Sequence, residues 1–600
     1  MDFKDHLVDY SDKITTIQQS IIKKLNRSIF LLLTLGFMLV IYQIGFPKEP
    51  YIISGVNNVM RQIPRLLMLL FLIKWFVKIV VSKEKFIFNR KHITDFIIFF
   101  SLFLFNILKN YSNEFKSEWF LYILLSVFFI IRFMAVSAEI KNTLLSPSLL
   151  FTFSFILVIL GGTATLLIPA ATNGNLSFID SLFTATSAVC VTGLSTIDVP
   201  TKFTGLGKNI LMVLIQIGGL GLMTFTNFFA ILFRGGMSLR NHLVLSNIIE
   251  TDKPNTLFAI LIKILFYTFL IEILGAFFIF IFTFNSYPGT FNEIVFFSSF
   301  HAVSAFCNAG FSIAPDGFYN IKLRYNYEVQ MVIALLIVFG GIGFPVVIDV
   351  YTSLKNTIKS ALRTFFFKER FNFQARNLTI HSKIVLTSTF VLLVFGTVFY
   401  FIIENQNVLK EHTSLYGKLV QSFFGSVTPR TAGFNTVDMG KLMQGTVLIY
   451  ILLMWIGAAP SSTGGGIKVT TFALAFSNII ALARGKDRIE IFKREISASS
   501  SSRAFAIIFL SLMIIGLAIF FIAIFDPHLP LDSVAFECFS AYGTVGLSLN
   551  LTPKLSDGSK LVLIITMFLG RVGLFTLLFG IFKKVDYHGY KYPKDSVQVL

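Results

Sequence analysis

Four segments of the chain share a residue pattern whose main chain could bind a cation. In each segment a phenylalanine lies ten residues before a glycine, and leucine or phenylalanine follows that glycine. Glycine adopts positive φ at little cost, which lets neighbouring carbonyl oxygens turn towards a common point. A ring of such carbonyls can replace the water around a monovalent cation. The segments are FTATSAVCVTGLS at 183–195, FHAVSAFCNAGFS at 300–312, FFGSVTPRTAGFN at 423–435 and FECFSAYGTVGLS at 536–548.

Each segment lies between two long apolar runs and is itself too short and too rich in small residues to cross a membrane. Backbone that is not helical is tolerated at membrane depth only where protein or a water-filled cavity satisfies its polar groups. Four re-entrant hairpins around an axis therefore predict a cavity. A glycine packed between helices would explain a single copy equally well, but four aligned copies favour the cavity. The Thr544, Val545, Gly546 copy is the most similar to the filter of potassium channels.

A second stretch of interest is APSSTGGGIK at 459–468, which contains Pro460 and three consecutive glycines, Gly464, Gly465 and Gly466. These residues cannot hold a regular helix. We expect the apolar run around them to break at mid-membrane, where the freed backbone groups need a cavity. The alternative is a kinked helix that only packs against its neighbours.

Ionisable side chains also fall inside predicted spans. Arg571 lies at the centre of the last apolar run, where a charge costs at least about 2.5 to 3.5 kcal/mol, so it should face the cavity or bind carbonyls. Lys468 follows the glycines. We assign it to a constriction of the cavity at this break, and the alternative is that it lies near an inner vestibule. Glu272 is either a pore or coupling carboxylate or a hydrogen-bonded contact between helices.

Three further side chains near the hairpins invite plainer explanations. Arg430 and Asp438 flank the third hairpin loop, where a supporting salt bridge is a simpler interpretation than ion binding. His301 precedes the second hairpin loop and has no evident partner in the sequence.

The elements that must position these residues are transmembrane helices. Hydrophobic residues make up 54% of the 600 residues and charged residues only 14%, against roughly 25% charged residues in soluble domains. Apolar runs of about 18 or more residues, long enough to cross a bilayer core, recur along the chain. We predict four N-terminal spans near 28–46, 63–81, 92–110 and 119–135. Eight more are predicted around 148–170, 206–233, 256–284, 328–350, 383–403, 446–476, 504–525 and 560–582.

The predicted fold is an all-α polytopic membrane protein with four repeats of span, re-entrant loop and span around a pseudo-fourfold pore, preceded by extra N-terminal spans. Its predicted units are an N-terminal region at 1–146 and pore repeats at 147–240, 241–375, 376–500 and 501–600, the last with a cytoplasmic tail.

The net charge of +19 indicates membrane topology rather than a nucleic-acid partner, because lysine and arginine cluster in short loops between spans. The positive-inside rule then places both termini in the cytoplasm. The first apolar run starts near Ile29 and lacks a small-residue cleavage site, so we interpret it as an uncleaved span. The basic loops lie at 83–91, 234–240, 355–376, 484–503 and 583–594.

Several other classes of protein are disfavoured by the sequence. Cys190, Cys307 and Cys538 are too far apart for a zinc site or a disulfide framework and are interpreted as packing residues. The chain has no Walker A pattern and no GxGxxG after a strand. It also lacks paired acids, a Ser/His pair or HExxH at membrane depth, so we predict that it is not an enzyme.

The chain resembles the Trk/Ktr/HKT superfamily of cation transporters, and especially its bacterial potassium-translocating membrane subunits. The resemblance covers roughly residues 147–583. It is carried by AVCVTGLS, QIGGLGLMTF at 216–225, FCNAGFS, SVTPRTAGFNT at 426–436, APSSTGGGIKVTTF at 459–472 and GRVGLFTL at 570–577.

The resemblance implies a filter of backbone carbonyls that binds potassium ions, with no organic cofactor in this chain. It also implies a homodimer in the lipid of the bacterial plasma membrane and a cytosolic nucleotide-binding ring as regulatory partner. In the family, Arg571 would lie against an intramembrane loop that closes the pore. The implied filter residues are Val191, Thr192, Gly193, Asn308, Ala309, Gly310, Thr431, Ala432, Gly433, Thr544, Val545 and Gly546.

In that superfamily, serine at the first filter glycine goes with sodium permeation, whereas glycine in all four copies goes with potassium selectivity. Here all four residues are glycine, so potassium is favoured over the alternative of a sodium-permeable relative. The four N-terminal spans depart from the usual pattern of none or two. The role of these spans, and any coupling to sodium or protons, stay open.

Overall fold

The computed structural model describes residues 3–46, 50–82, 90–111, 118–137, 147–221, 257–284, 286–367, 378–486, 488–573 and 577–578. Within these ranges the chain is helical apart from loops and one short β-hairpin, in which Ile489–Ile491 pairs antiparallel with Arg494–Ile496. The predicted all-α class is confirmed. The basic loops at 83–89, 234–240, 368–376 and 583–594 lie outside the described residues.

The N-terminal region is a group of four helices with its own apolar core. These helices are α1 (Phe3–Gly45), α2 (Pro50–Ser82), α3 (Arg90–Tyr111) and α4 (Glu118–Ser137). Helix α1 packs against α2 and α4, and α2 packs against α3. Apolar side chains recur on the facing sides of the helices, so one contiguous cluster is removed from solvent or lipid. Its fully buried members include Ile29, Leu33, Met60, Leu67, Phe71, Leu102 and Leu125.

A charged cluster is buried inside this N-terminal group. The Lys74 amine lies 2.5 Å from one Asp95 carboxylate oxygen, and the Arg132 guanidinium lies 3.2 Å from the other. Arg132 also donates a hydrogen bond to the Asn26 side-chain oxygen at 2.9 Å. Since buried charges are expensive without a partner, Asp95 is the residue that lets two cations lie between the helices.

Four repeats follow, and each contains a helix of 12 to 16 residues between two spans. Repeat 1 has α5 (Pro147–Leu166), α6 (Phe178–Val189), the single turn α7 (Val199–Lys202) and α8 (Gly205–Leu220). Repeat 2 has α9 (Leu257–Thr283), α10 (Phe291–Phe306), α11 (Tyr327–Ile342) and α12 (Phe344–Phe367). Repeat 3 has α13 (Ile380–Glu404), α14 (Leu415–Val427), α15 (Gln444–Trp455) and α16 (Val469–Ala483). Repeat 4 has α17 (Ala498–Phe525), α18 (Leu531–Gly543) and α19 (Asp557–Val572).

We call α6, α10, α14 and α18 the hairpin helices. Three of them begin at a Ser or Thr cap, which satisfies backbone amides that have no partner in the first helical turn. Ser177 and Ser414 accept hydrogen bonds from the amides of Asp180 and Gly417. Thr290 forms a reciprocal capping box with Glu293.

The repeats contact one another in a ring. Lys560, in the second span of repeat 4, lies 2.9 Å from Asp180 in the hairpin helix of repeat 1. In the same relation, Gln330 in the second span of repeat 2 accepts a hydrogen bond from Gln421 in the hairpin helix of repeat 3 at 2.7 Å. The first and last repeats are therefore joined by an ion pair between residues 380 positions apart.

The second spans predicted around 206–233, 328–350 and 560–582 contain helix breaks that the sequence did not reveal. Their helices end at Leu220, Ile342 and Val572, and the glycines that follow have φ angles of 74°, 92° and 80°. In repeat 2 the next helix leaves at a bend of 99°. Because the stretches GGLG, GGIG and GRVG lie within apolar runs, hydropathy alone does not reveal the breaks. Residues 222–233, 574–576 and 579–582 lie outside the described residues.

By length and composition, four described helices could each cross a membrane: Ser20–Gly45, Ile262–Thr283, Ile380–Glu404 and Ala498–Phe525. The bent pair α11 and α12 would make a fifth span. Further apolar helical stretches of 10 to 17 residues lie in the described part of the chain. The total of twelve spans stays a prediction.

Asp95→Asn should destabilise the N-terminal helices, because it removes the buried carboxylate that pairs with both Lys74 and Arg132. We expect the free energy of unfolding to fall by about 3 kcal/mol, as for other broken buried pairs. Unfolding of the purified protein in detergent would measure it. The control is Glu490→Gln in the exposed Lys486–Glu490 pair, where the loss should stay below about 1 kcal/mol. Equal effects of the two substitutions would contradict the role given to Asp95.

Candidate ion-conducting site

The four loops that carry the repeated pattern leave their hairpin helices through left-handed backbone. Val191, Asn308, Thr431 and Thr544 have φ angles of 58°, 60°, 69° and 50°. Three of these residues are β-branched, for which this conformation costs of the order of 1–2 kcal/mol each. The surrounding structure must therefore impose it.

Backbone hydrogen bonds at the helix ends impose this turn. The Thr192 amide donates to the Ser187 carbonyl at 2.7 Å, the Ala309 amide to the Ser304 carbonyl at 2.7 Å, and the Val545 amide to the Ser540 carbonyl at 2.8 Å. These bonds belong to Schellman motifs, which satisfy the last carbonyls of a helix. In the third repeat the turn is built differently, since the Ala432 and Gly433 amides both donate to the Thr428 carbonyl.

Side-chain hydroxyls hold the far side of each loop, and sequence reasoning missed them. The Ser187 and Ser540 hydroxyls accept hydrogen bonds from the Gly193 and Gly546 amides at 3.0 and 3.1 Å. Ser304 and Thr428 instead donate to the carbonyls of Phe311 and Phe434 at 2.8 and 2.6 Å. The four segments, aligned with one another, do contain a signal for these hydroxyls, because serine occupies the fifth position of copies one, two and four.

The structure brings the four predicted tripeptides, 191–193, 308–310, 431–433 and 544–546, into one ring. A Cβ atom added to any of their glycines would collide with a carbonyl oxygen of another repeat. The distances from these Cβ positions are 2.5 Å for Gly193 to Ala309, 2.6 Å for Gly310 to Ala432, 2.1 Å for Gly433 to Val545 and 2.2 Å for Gly546 to Thr192. The order of contacts runs from repeat 1 to 2, 3, 4 and back to 1, so the ring is closed.

Polar side chains beside this ring are left available. The buried hydroxyls of Thr192 and Thr544 have no hydrogen-bond partner among the described residues. The Asn308 amide group and the Thr431 hydroxyl lie 3.1 Å apart across the boundary between repeats 2 and 3. Buried hydroxyls without a hydrogen-bond partner are costly. A cation or a water molecule bound on the ring axis would supply the missing partner.

The helix of the third repeat breaks where Pro460 and the three glycines predict. A loop covers 456–468, between α15 and α16, and closes on itself where the Gly457 amide donates to the Ile467 carbonyl at 2.8 Å. The loop also bonds to the break in repeat 2. There the Ala459 amide donates to the Gly341 carbonyl at 3.0 Å, and the Phe344 amide donates to the Ser461 carbonyl at 3.2 Å.

The loop glycines pack directly against the start of the tripeptides. A Cβ added at Gly464 would lie 2.2 Å from the Thr431 hydroxyl, and one added at Gly465 would lie 2.2 Å from the Thr544 hydroxyl. Gly466, with φ of 66°, completes the turn. No side chain fits between this loop and the ring.

The two predicted cations of this constriction bind its carbonyls. The Arg571 guanidinium donates to the Thr463 carbonyl in the loop and to the Gly218 carbonyl near the end of α8. The Lys468 amine donates to the Gly464 carbonyl at 2.7 Å. Arg571 therefore joins repeats 4, 3 and 1 at the loop.

Glu272 lies in a contact between helices, which was one of the two alternatives. It is 5% exposed, and its carboxylate accepts hydrogen bonds from the Gln216 amide at 3.0 and 3.2 Å. The Cys307 sulfur, at the end of hairpin helix α10, lies 3.8 Å from the same carboxylate. Cys190, Cys307 and Cys538 are free and buried.

The expectation of a salt bridge between Arg430 and Asp438 was wrong. Asp438 caps a short 3-10 helix and lies 3.8 Å from Lys441, whereas Arg430 is buried at the end of hairpin helix α14. The tripeptide 431–433 separates them along the chain. His301 has the partner that the sequence did not reveal, since its ring contacts the Phe297 carbonyl at 2.8 Å and the Ser312 hydroxyl at 2.9 Å.

A helical membrane chain with four re-entrant hairpins closed into a ring belongs to the class of membrane transport proteins rather than enzymes. The sequence model of the TrkH family, described as cation transport protein, matches residues 117–586. The chain belongs to this family of multi-pass membrane proteins, as the resemblance predicted.

Individual relatives agree with the family assignment. The chain is 37% identical to the Ktr system potassium uptake protein B of Bacillus subtilis over 76% of this chain and 98% of the relative. It is 34% identical to the potassium/sodium uptake protein NtpJ of Enterococcus hirae over 76% and 97%. The crystal structure of the potassium transporter TrkH from Vibrio parahaemolyticus shares the fold, with a TM-score of 0.56 at 16% identity, over 87% of this chain and 97% of that one.

Ser540→Ala should loosen the fourth loop without unfolding the protein. Loss of the hydroxyl leaves the Gly546 amide unpaired, which costs about 1–3 kcal/mol locally. We expect faster amide hydrogen exchange in a peptide covering 541–549, measured by mass spectrometry. Ser502→Ala, which removes an exposed hydroxyl bonded to its own helix, is the matched control and should leave that peptide unchanged. Unchanged exchange in Ser540→Ala would show that the hydroxyl does not hold the loop.

Proposed function

We propose that this protein takes up potassium across the plasma membrane and that the ring of tripeptides is its selectivity filter. The observation that carries the proposal is the closed contact of each glycine with a carbonyl oxygen of a neighbouring repeat. Main-chain oxygens brought this close to one axis offer a dehydrated potassium ion a substitute for its water shell. Potassium is the cargo of the filter, and the unpaired Thr192 and Thr544 hydroxyls are available beside it.

The named relatives support potassium as the cargo and also supply a second candidate. Two of them are described as potassium uptake proteins of Ktr systems, from Bacillus subtilis and Vibrio alginolyticus. The Enterococcus hirae relative is described as a potassium/sodium uptake protein, which favours a sodium-permeable transporter as the alternative. Glycine in all four filter copies favours potassium.

Gly193→Ser should reduce the preference for potassium over sodium. The added Cβ would lie 2.5 Å from the Ala309 carbonyl oxygen, so the ring must widen or turn that oxygen away. The measurement is rubidium uptake, with competition by potassium and sodium, in bacteria that lack their own potassium uptake systems. Wild type should restore growth at low potassium and discriminate against sodium.

The matched control for this test is Gly161→Ala in α5, where an added Cβ meets no atom within 4 Å. It should leave the preference as in wild type. Inserted wild-type protein that moves no monovalent cation, with or without a cytosolic subunit, would overturn the proposal.

We further propose that the loop at 456–468 is the gate of this pathway. It contacts the filter through Gly464 and Gly465 and is held by Arg571 and Lys468. In this position the loop blocks the route from the ring to the side on which the hairpin helices end. The positive charge of Arg571 adds an electrostatic barrier to cations there.

Arg571→Gln should raise cation flux in the absence of any partner. It removes the barrier charge and weakens the bonds that hold the Thr463 and Gly218 carbonyls. Rubidium flux into vesicles that contain the purified protein measures the leak. Arg503→Gln, on the exposed start of α17, is the control for loss of one positive charge. A flux unchanged or lowered by Arg571→Gln would argue against the gate.

The relatives also bear on the regulation and the assembly of this protein. The Ktr-system names of the relatives support a membrane subunit that works with a cytosolic regulatory component, which we propose is a nucleotide-binding ring. We expect it to dock on the basic surfaces at 352–382 and 484–503 and on the C-terminal tail, with both termini in the cytoplasm. Assembly as a homodimer in the inner-membrane lipid is part of the same proposal.

A further inference from the structure

Arg430 is a buried cation whose side chain has no partner among the residues that the structure describes. It is 8% exposed, and its side chain makes no hydrogen bond or ion pair with the described residues. By contrast, the half-buried cations Arg571 and Lys468 of the pore repeats donate to carbonyls. An uncompensated guanidinium at membrane depth is strongly unfavourable, so a compensating group is expected next to it.

A small cavity of about 20 Å³ lies against Arg430. It is lined by residues of repeat 2, the first span of repeat 3, hairpin helix α14 and the loop at 456–468. Its volume exceeds the roughly 10–15 Å³ needed to hold a water molecule, but it is too small for a phosphate or a lipid headgroup. Most of its walls are apolar. The lining residues besides Arg430 are Ile337, Val338, Gly341, Thr389, Leu393, Val427 and Ala458.

Thr389 offers the cavity a second polar group. It is 7% exposed, and its hydroxyl forms no hydrogen bond with the described residues. This is unusual for a buried helical threonine, whose hydroxyl normally bonds the carbonyl one turn earlier. Two turns further along the same helix, Thr397 does so, with its hydroxyl 2.7 Å from the Leu393 carbonyl. The residues that line the cavity thus include an arginine and a threonine among apolar side chains.

We propose that this cavity binds a single monoatomic anion, chloride in the cell, held by the Arg430 guanidinium and the Thr389 hydroxyl. Water would fill the volume but would not neutralise the charge, whereas a halide accepts hydrogen bonds and does both. Because Arg430 directly precedes filter residue Thr431, the anion also removes a repulsive charge from beside the cation pathway. The site would make the stability of the third filter loop depend on chloride.

The test uses the full-length purified protein in lipid nanodiscs at fixed potassium, with chloride exchanged for gluconate at constant ionic strength. Wild type should show a saturable rise of the thermal midpoint of about 2–4 °C with chloride, and bromide should act likewise. Arg430→Gln should abolish the response, and Thr389→Val should shift it to higher chloride. Thr397→Val is the matched control and should respond as wild type does.

Two outcomes would overturn the proposal. A wild-type midpoint that is equal in chloride and gluconate would mean that the cavity holds only water, and an unchanged response in Arg430→Gln would place the anion elsewhere. If Arg430→Gln does not fold, crystals of wild type grown in bromide decide: an anomalous peak between Arg430 and Thr389 supports the site, and its absence overturns it. Neither readout depends on transport, so failure here is distinct from failure of the proposed function.

Discussion

The contact of each ring glycine, Gly193, Gly310, Gly433 and Gly546, with a carbonyl oxygen of another repeat is the constraint on which the rest of the structure depends. A single Cβ atom at any of the four positions would lie 2.1 to 2.6 Å from that oxygen. The ring closes only if the four loops adopt the same conformation. That conformation includes left-handed backbone at a non-glycine residue of each loop, which is unfavourable. Helix-end hydrogen bonds and the Ser187, Ser304, Thr428 and Ser540 hydroxyls hold it instead. These bonds are necessary because backbone N–H and C=O groups at membrane depth must have hydrogen-bond partners.

The second spans approach the hairpin helices by the same means, and one repeat differs. An added Cβ would lie 2.3 Å from the Val189 carbonyl at Gly218, 1.9 Å from the Phe306 carbonyl at Gly340 and 2.0 Å from the Tyr542 carbonyl at Gly570. Glycine therefore lets the second helix touch the hairpin in three repeats, just before each helix breaks. In repeat 3 the break is longer and its loop fills the space under the ring. The third repeat thus departs from the fourfold arrangement at the loop for which we propose the gating role.

The sequence predicted the fold class and the four hairpins because their pattern is local and repeated. It missed features that depend on contacts between distant residues. The breaks after Leu220, Ile342 and Val572 are hidden in apolar runs, and Arg430 was paired with Asp438 because they are close in sequence. The tripeptide 431–433 turns the chain between them, so sequence proximity misled. Similarly, the partner of Glu272 is 56 residues away on another helix, which no spacing rule reveals.

Carbonyl groups, rather than carboxylates, compensate the two cations at the loop. Arg571 donates to Thr463 in the loop and to Gly218 near the end of α8, where helix carbonyls are partly unpaired and the helix dipole is negative. The guanidinium is thus compensated jointly by a fixed helix end and by the loop. Under the gating role proposed for this loop, its displacement would remove one of these acceptors, and water entering the opened route would replace it. Opening and hydration of the pathway would then be coupled through Arg571.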